Sequence, residues 1–386
     1  MSLITAILDF PDDIADLKSA TADFVNRRIL PHEVEISSSG EVPEALQQEL
    51  REGGYFGLTI PEEYGGAGLS HLAFYAIHEE LTRAPKPVWL QLNNANGIAA
   101  RFLEFGGSEA LKLKYLPGIA AGTILPAIAV TEPEAGSDVQ GLKTKAEPTA
   151  NGWLLNGGKH YITFGARADI LFVLARTAGR EAGSKAFTLF LVEKGTPGLK
   201  VARLQETMGG RPLEQAELVL DDLELPDSAV IGEVGGGLKL VFKTFAEERL
   251  TMATTALGTA QRAIELGVDY AKTRKAFGHM ISDYQAIQHS LADCATELFA
   301  ARSMTFALAR QLGGRVVAPH EAAMVKLYAS EMAGRVVDRV LQIFGGAGFM
   351  AETPICQMYR DVRVLRLAGG TSEIQRNMIA RHLLGQ

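Results

Sequence analysis

Two glutamates stand side by side in Ala246-Glu247-Glu248-Arg249-Leu250, inside a stretch with helical spacing, and their faces differ. Steps of four, three and four residues put Glu248 on one stripe with Val241, Phe245 and Met252. Glu247 instead shares a face with Lys243, Thr251 and Thr254, the surroundings of a solvated surface acid. A carboxylate on an apolar stripe is costly unless it is paired or used. Burial disfavours its charged form and lifts its pKa toward neutrality, which is what a general base requires. Arg249 offers the other reading, an ion pair that makes Glu248 structural.

A second stretch, Ile124 to Asp138, could position chemistry rather than perform it. Ile124–Val130 is an apolar run of strand length, stopped by Thr131-Glu132-Pro133 and followed by Ala135, Gly136 and Ser137. A strand ending in a hydroxyl and then a turn of small residues offers backbone amides and a Thr oxygen at close range. That suits a flat, polar-edged cofactor, although an ordinary strand-to-turn exit reads the same way. Glu132 and Glu134 flank the proline and read as structural. Other stretches carry less. The glycines of Leu58–Leu69 miss the dinucleotide fingerprint, whose last glycine would fall at His71. In His78-Glu79-Glu80 the second metal-binding His would be Thr82, so a solvated helix face is expected. Cys294 and Cys356 lack metal-ligand spacing, and no metal site is expected.

Periodicity supplies the scaffold for these residues. With 386 residues, 47% hydrophobic and 22% charged, the chain has the size of two or three packed units. A net charge of −7 without a basic run argues against nucleic acid or an anionic membrane as partner. No 18-residue apolar run and no basic leader-like start is present, so the expected address is the cytoplasm. Residues 1–125 read as helical, including one helix over about 88–105. Residues 126–235 switch to a period of two, with an Asn151-Gly152 hairpin signal, and predict an antiparallel barrel or sandwich. Residues 236–386 return to helical spacing in four or five long helices. Capping-box spacing occurs at Ser282…Gln285 and Ser372…Gln375, and Gly345-Gly346 stands as a C-cap. The fold class is α+β in three units.

With these landmarks in place, the chain strongly resembles the acyl-CoA dehydrogenase flavoprotein family along nearly its whole length. The matching stretches are Val130-Thr-Glu-Pro-Glu-Ala-Gly-Ser-Asp138, Asn156-Gly-Gly-Lys-His-Tyr-Ile-Thr163, Arg274-Lys-Ala-Phe-Gly278, Gln342-Ile-Phe-Gly-Gly346 and Gly370-Thr-Ser-Glu-Ile-Gln-Arg376. The resemblance implies a helical domain, a β domain and a four-helix bundle that pairs subunits into a homotetramer, a dimer of dimers. It implies bound FAD, an acyl-CoA substrate and an electron-transfer flavoprotein as partner. Ile128, Ala129, Val130 and Thr131 would run along the flavin, Gly136 and Ser137 would approach cofactor and acyl-CoA, and Tyr161, Ile162 and Thr163 would cover the other side. Many relatives carry Trp where Tyr161 stands. Arg274, Phe277 and Gln285 would bind the FAD phosphates and adenosine, and Gln342, Gly345 and Gly346 the same region from a neighbouring subunit. Gly370, Thr371 and Glu373 would aim helix-terminal amides at the anionic cofactor.

The reaction implied is α,β-desaturation of an acyl-CoA thioester to the trans-2-enoyl-CoA. In much of the family the base is a Glu in the position held here by Gly369, which has no side chain to take a proton. A branch that includes isovaleryl-CoA and long-chain dehydrogenases carries its Glu before an Arg in the first bundle helix. That pattern matches Glu248-Arg249, so Glu248 is the expected base. Arg249 and the Gly369 amide would contact substrate. Aligning the helix at 88–105 puts Asn93 and Asn94 near the floor of the acyl cavity, which favours a branched, functionalised or medium-length chain. Two competing readings are an oxidase or nitroalkane-type flavoprotein on the same fold, and a member that binds flavin without catalysing.

Overall fold

Helices α1 (Asp12–Phe24), α2 (Glu33–Ser39), α3 (Glu44–Glu52), α4 (His71–Leu81), α5 (Lys86–Asn94), α6 (Ala100–Gly106) and α7 (Glu109–Ala120) precede the first strand in this computed structural model. It describes residues 10–209, 215–312 and 317–386; the start of the chain that was read for a leader, residues 1–9, lies outside them. The helix expected over 88–105 is broken. Residues Ala95–Ala99 form a π-turn in which Gly97 sits at φ −92°, ψ −112°, outside helical geometry. Such turns insert an extra residue and redirect the helix, here opposite Glu248.

The strands β1 (Pro126–Ala129), β2 (Lys145–Thr149), β3 (Gly152–Thr163), β4 (Ile170–Arg176), β5 (Phe187–Glu193), β6 (Leu199–Gln205), β7 (Gln215–Leu225) and β8 (Val230–Ile231) form one sheet. Its order is β6-β7-β3-β2-β4-β5-β8, with β1 on β4. The expectation of a purely antiparallel sheet is corrected at β4, which pairs in parallel with β1 and, through one bridge, with β2. The reason is in β4 itself, Ile-Leu-Phe-Val-Leu-Ala-Arg, which is buried on both faces. Leu171, Val173 and Ala175 face the core of the β unit. Ile170, Phe172 and Leu174 join the main helical core, where Phe102 of α6 meets Phe172 with ring centroids 5.4 Å apart. A strand covered on both sides accepts parallel neighbours readily.

After β8 the chain enters α8 (Gly237–Thr273), a 37-residue helix. A short hairpin, β9 (Lys275–Ala276) and β10 (His279–Met280), leads to α9 (Gln285–Ala309), α10 (Pro319–Phe344), α11 (Pro354–Val362) and α12 (Ser372–Leu384). α10 packs on α8, α9 and α12. Ala253, Ala256, Ala260 and Ala263 of α8 are fully buried, and their small size lets neighbouring helices approach. Thr244 and Thr255 are buried as well, because each hydroxyl donates to the carbonyl four residues back. α4 crosses α8 so closely at Gly258 that a Cβ there would stand 2.3 Å from the Glu79 carbonyl oxygen. The cap of α12 is Thr371, whose Oγ1 accepts from the Ile374 amide. Neither capping box forms. Ser282 lies in a 3₁₀ turn ahead of α9, so Gln285 opens that helix without a side-chain cap.

Candidate active site

Glu248 lies about three turns into α8, where Val241, Leu250 and Met252 are buried around it. Its Oε2 is buried without a hydrogen-bond partner among the described residues. Burial pushes its carboxyl up to about 8. A small cavity opens on it, walled by Phe74 and Tyr75 of α4, Asn96, Gly97 and Ile98 of the π-turn, Thr251 of α8, and the charged Arg101 and Glu247. A Cβ on Gly97 would sit 3.3 Å from Glu248 Oε2, so the glycine leaves the carboxylate room to face the cavity. Arg249 does not answer Glu248. Its buried Nε has no partner among the described residues, and the ion pair offered as the alternative does not form.

The neighbouring acid departs from expectation. Glu247 is not a solvated surface group: its side chain is 22% exposed, with Arg101 Nε at 3.0 Å and His71 Nε2 at 3.6 Å. Burial alone would raise its carboxyl, but His71 and Arg101 hold it below the ordinary carboxylate value. Two adjacent glutamates are thus driven in opposite directions, one held charged beside Arg101 and one desolvated without a counter-charge. His78-Glu79-Glu80 is corrected in the same sense. His78 and Glu79 are both 1% exposed, because α4 is enclosed by α1, α8 and α9. Glu79 is neutralised there by Lys18 at 2.9 Å and Arg302 at 2.6 Å.

Gly369 packs against α8 at Met252. It adopts φ +63°, and a Cβ there would meet Met252 Sδ at 2.4 Å. A side chain at this position is strained by the positive φ and has to displace the end of Met252. Gln375 Nε2 donates to the carbonyls of Gly369 (3.1 Å) and Gly370 (2.8 Å), and Lys326 Nζ donates to Gly370 (2.8 Å). Both carbonyls are held toward α10 and α12. Sequence reasoning missed this pair of anchors, because Lys326 and Gln375 carry no motif of their own.

The strand wall is fixed from behind. Glu132 is buried, accepts from the Lys143 and Thr144 amides, and pairs with Lys159 Nζ at 2.7 Å. The Thr131 carbonyl accepts from the His160 amide. Next to it the β3–β7 register slips between Lys159 and Ile162, and Tyr161 takes φ +58°. Such a bulge re-aims a side chain, and the Tyr161 ring stands 62% exposed. Ala129 and Ile162 are packed in the sheet core, which leaves only their backbones for a ligand. Ile128 and Val130 belong to the helical core's border, and Thr163 gives its hydroxyl to Gln215. Gly136 and Ser137 are exposed, with open space where a Gly136 side chain would be.

A second group gathers at the opposite end of α8. Phe277 (φ +52°) and Gly278 (φ +84°) make the two-residue turn of the β9–β10 hairpin, and the Phe277 ring is 93% exposed. Tyr270 of α8 stacks on Phe344 of α10 at 4.1 Å, which brings Gly345 and Gly346 to the same end. Arg274, Gln285, Gln342, Gly345 and Gly346 are all exposed there. Glu373 is exposed in the first turn of α12, and Gly370 and Thr371 are half-buried at its start. Open space where side chains would be at Gly136, Gly345 and Gly346, and the Tyr161 and Phe277 rings held out at positive φ, leave both surfaces accessible to a ligand. Among the described residues no group of three His, Cys, Asp or Glu could hold a metal ion.

Sequence profiles of the acyl-CoA dehydrogenase N-terminal, middle and C-terminal domains match residues 11–123, 127–223 and 235–384. The chain belongs to the acyl-CoA dehydrogenase family. It is 36% identical to a mitochondrial isovaleryl-CoA dehydrogenase of Oryza sativa subsp. japonica, over 97% of this chain and 92% of that one. It is 33% identical to the CarC subunit of the caffeyl-CoA reductase-Etf complex of Acetobacterium woodii, over 95% and 97%. It superposes on butyryl-CoA dehydrogenase of Megasphaera elsdenii with a TM-score of 0.91, at 33% identity, covering 98% and 99%. As an acyl-CoA dehydrogenase, the protein is an FAD-dependent oxidoreductase of acyl-CoA thioesters.

Proposed function

We propose that Glu248 is the base of this dehydrogenase and takes the α-proton of the acyl-CoA. The observation that carries the assignment is a carboxylate that faces the cavity with its Oε2 buried and unpartnered, its pKa pushed up to about 8. An α-proton of a thioester is weakly acidic, and a desolvated carboxylate of raised pKa accepts it far better than an ordinary one. When bound, FAD supplies the acceptor for the hydride that leaves the β-carbon. As both C–H bonds break, the C=C bond forms, the proton rests on Glu248, and the product is the trans-2-enoyl-CoA. The Gly369 amide, in a turn held by Gln375 and Lys326, is the group we assign to the developing charge on the thioester oxygen. Tyr161, the exit of β1 from Ile128 to Thr131, Gly136 and Ser137 are the residues we assign to the flavin side, and Ser137 and Arg249 to the substrate side.

The assembly is part of the same proposal. Arg274 lies twenty-six helical residues after Glu248, about 39 Å along α8, farther than one dinucleotide reaches. The Arg274, Phe277, Gln285 and Gln342–Gly346 group of one chain therefore serves a second copy's site, which supports a dimer and, through paired bundles, a homotetramer. Electrons pass to an electron-transfer flavoprotein in this reading, supported by the CarC relative named for such a complex. A cytoplasmic address goes with it, supported by two free cysteines, one of them buried.

The test is anaerobic mixing of the holoenzyme with a panel of acyl-CoAs while flavin absorbance is followed. Rapid loss of the oxidised band with at least one acyl-CoA is expected. Bleaching by none, or turnover that yields peroxide from O₂ and passes nothing to an electron-transfer flavoprotein, overturns the reading.

A further inference from the structure

The wall of the Glu248 cavity contains more charge than a pocket for plain hydrocarbon needs. Its uncharged polar groups are spent on backbone. Thr59 donates its hydroxyl to the Asn96 carbonyl at 2.6 Å and Thr244 to the Leu240 carbonyl at 3.1 Å. Tyr75 and Thr251 both donate to the Glu247 carbonyl, at 3.2 and 3.5 Å, and Asn96 gives its amide to Tyr55 and Leu92. Asn93 and Asn94, the amides expected at the floor, bond His78 and the Pro126 carbonyl instead. With Glu248 assigned to the proton, Arg101 and Glu247 are the charged groups left in the wall.

Arg101 is braced with one arm unused. Its Nε faces Glu247 Oε2 at 3.0 Å and its Nη1 donates to Glu104 Oε2 at 2.5 Å, while Nη2 makes no hydrogen bond among the described residues. Glu247 turns the same Oε2 toward His71 Nε2 at 3.6 Å, and its Oε1 accepts no hydrogen bond among the described residues. Both side chains border the cavity and are otherwise mostly covered, at 14% and 22% exposed. A spare donor and a spare acceptor therefore stand side by side. Arg101 and Lys243, both over the Phe105 ring, match Glu104 and Glu247 in formal charge. An anionic tail would meet the two carboxylates, and an ammonium the two cations. A neutral hydroxyl satisfies both spare valences, accepting from the guanidinium and donating to the carboxylate. A bare alkyl chain strips water from both and returns no hydrogen bond.

We propose that Arg101, braced by Glu104 and paired with Glu247, is a specificity-determining residue that selects acyl-CoAs carrying a neutral hydroxyl on the acyl chain over unsubstituted and carboxylated ones. This inference rests on the dehydrogenase reading above. Arg101 follows Gly97, the residue opposite Glu248, by four positions, about 6 Å along a helix. That offset places the hydroxyl past the α- and β-carbons, on C4 to C6 of the chain.

The experiment measures anaerobic flavin reduction in the holoenzyme with hexanoyl-CoA, its 4-, 5- and 6-hydroxy derivatives and adipoyl-CoA, in wild type, Arg101→Met and Arg101→Lys. In wild type, kcat/KM for at least one hydroxylated isomer is expected to exceed that for hexanoyl-CoA and for adipoyl-CoA by about tenfold or more. In Arg101→Met that advantage disappears. Arg101→Lys keeps the positive charge but not the planar fork, so it loses most of the advantage and stands in if Arg101→Met does not fold. Wild type that uses hexanoyl-CoA as well as every hydroxylated isomer overturns the assignment. A preference for adipoyl-CoA, or a folded variant that keeps the wild-type ratio, overturns it too. Reduction by none of these thioesters overturns the dehydrogenase reading and takes this inference with it.

Discussion

A carboxyl group whose folded pKa is raised costs the protein stability wherever the unfolded chain would be ionised, and Glu248 makes that cost measurable. Its pKa is about 8 in the folded protein against 4.5 for the free group. Below about pH 4.5 both states carry the proton and Glu248 is neutral in its effect. Between these values the folded protein retains a proton that the unfolded chain releases, so stability falls as pH rises. Above about pH 8 the full penalty applies, on the order of 5 kcal/mol at 1.36 kcal/mol per unit. Glu248→Gln keeps the shape and never ionises. Urea unfolding of the variant and wild type at pH 5.5, 7 and 8.5 should show a growing advantage for the variant, small at the acid end and several kcal/mol at the alkaline end. An advantage that does not grow with pH would refute the claim that Glu248 is desolvated and unpaired.

The same group governs rate with the opposite demand, since a base must be deprotonated. We expect kcat/KM to rise with pH and level off above about 8, and a profile flat from pH 6 to 9 contradicts the assignment. Gly369→Glu should supply a replacement base poorly in a Glu248→Gln background, because the positive φ strains any side chain there and Met252 must be displaced; full recovery of flavin reduction refutes this. Gly369→Ala alone should lower stability by about 1–3 kcal/mol in denaturant titration. Lys159→Met strands Glu132 in the sheet and should cost about 3–5 kcal/mol, read by thermal unfolding, whereas an unchanged midpoint shows the pair is dispensable.

The three-part architecture and the inward stripe that carries Glu248 are legible in the sequence because both rest on periodicity. Steps of three and four put Glu248 among Val241, Phe245 and Met252, and the packing keeps that stripe inward. Tertiary pairing is not legible. Glu247 reads as solvated because its partners, His71 and Arg101, lie more than a hundred residues away in sequence. Glu79 reads as solvated for the same reason, with Lys18 and Arg302 on other helices. Which residues of the segment 88–105 line the cavity is not legible either, because the helix expected there is broken. Asn96, Gly97 and Ile98 of the π-turn line the cavity beside Glu248, whereas Asn93, in the regular helix before it, bonds His78. Gly97 within Asn-Asn-Ala-Asn-Gly is the available signal for that break. The exposure of Tyr161 depends on the bulge in β3, which the motif alone does not reveal.

The adjacency of the two acids allows the base assignment to be tested against its own neighbour. Single-turnover flavin reduction should be compared in Glu248→Gln and Glu247→Gln holoenzymes with the best acyl-CoA of the panel. We predict that Glu248→Gln retains FAD and acyl-CoA binding but reduces its flavin about 10²–10⁴-fold more slowly, with Glu247→Gln affected far less. Near-normal reduction in Glu248→Gln, or a larger loss in Glu247→Gln, would contradict the assignment.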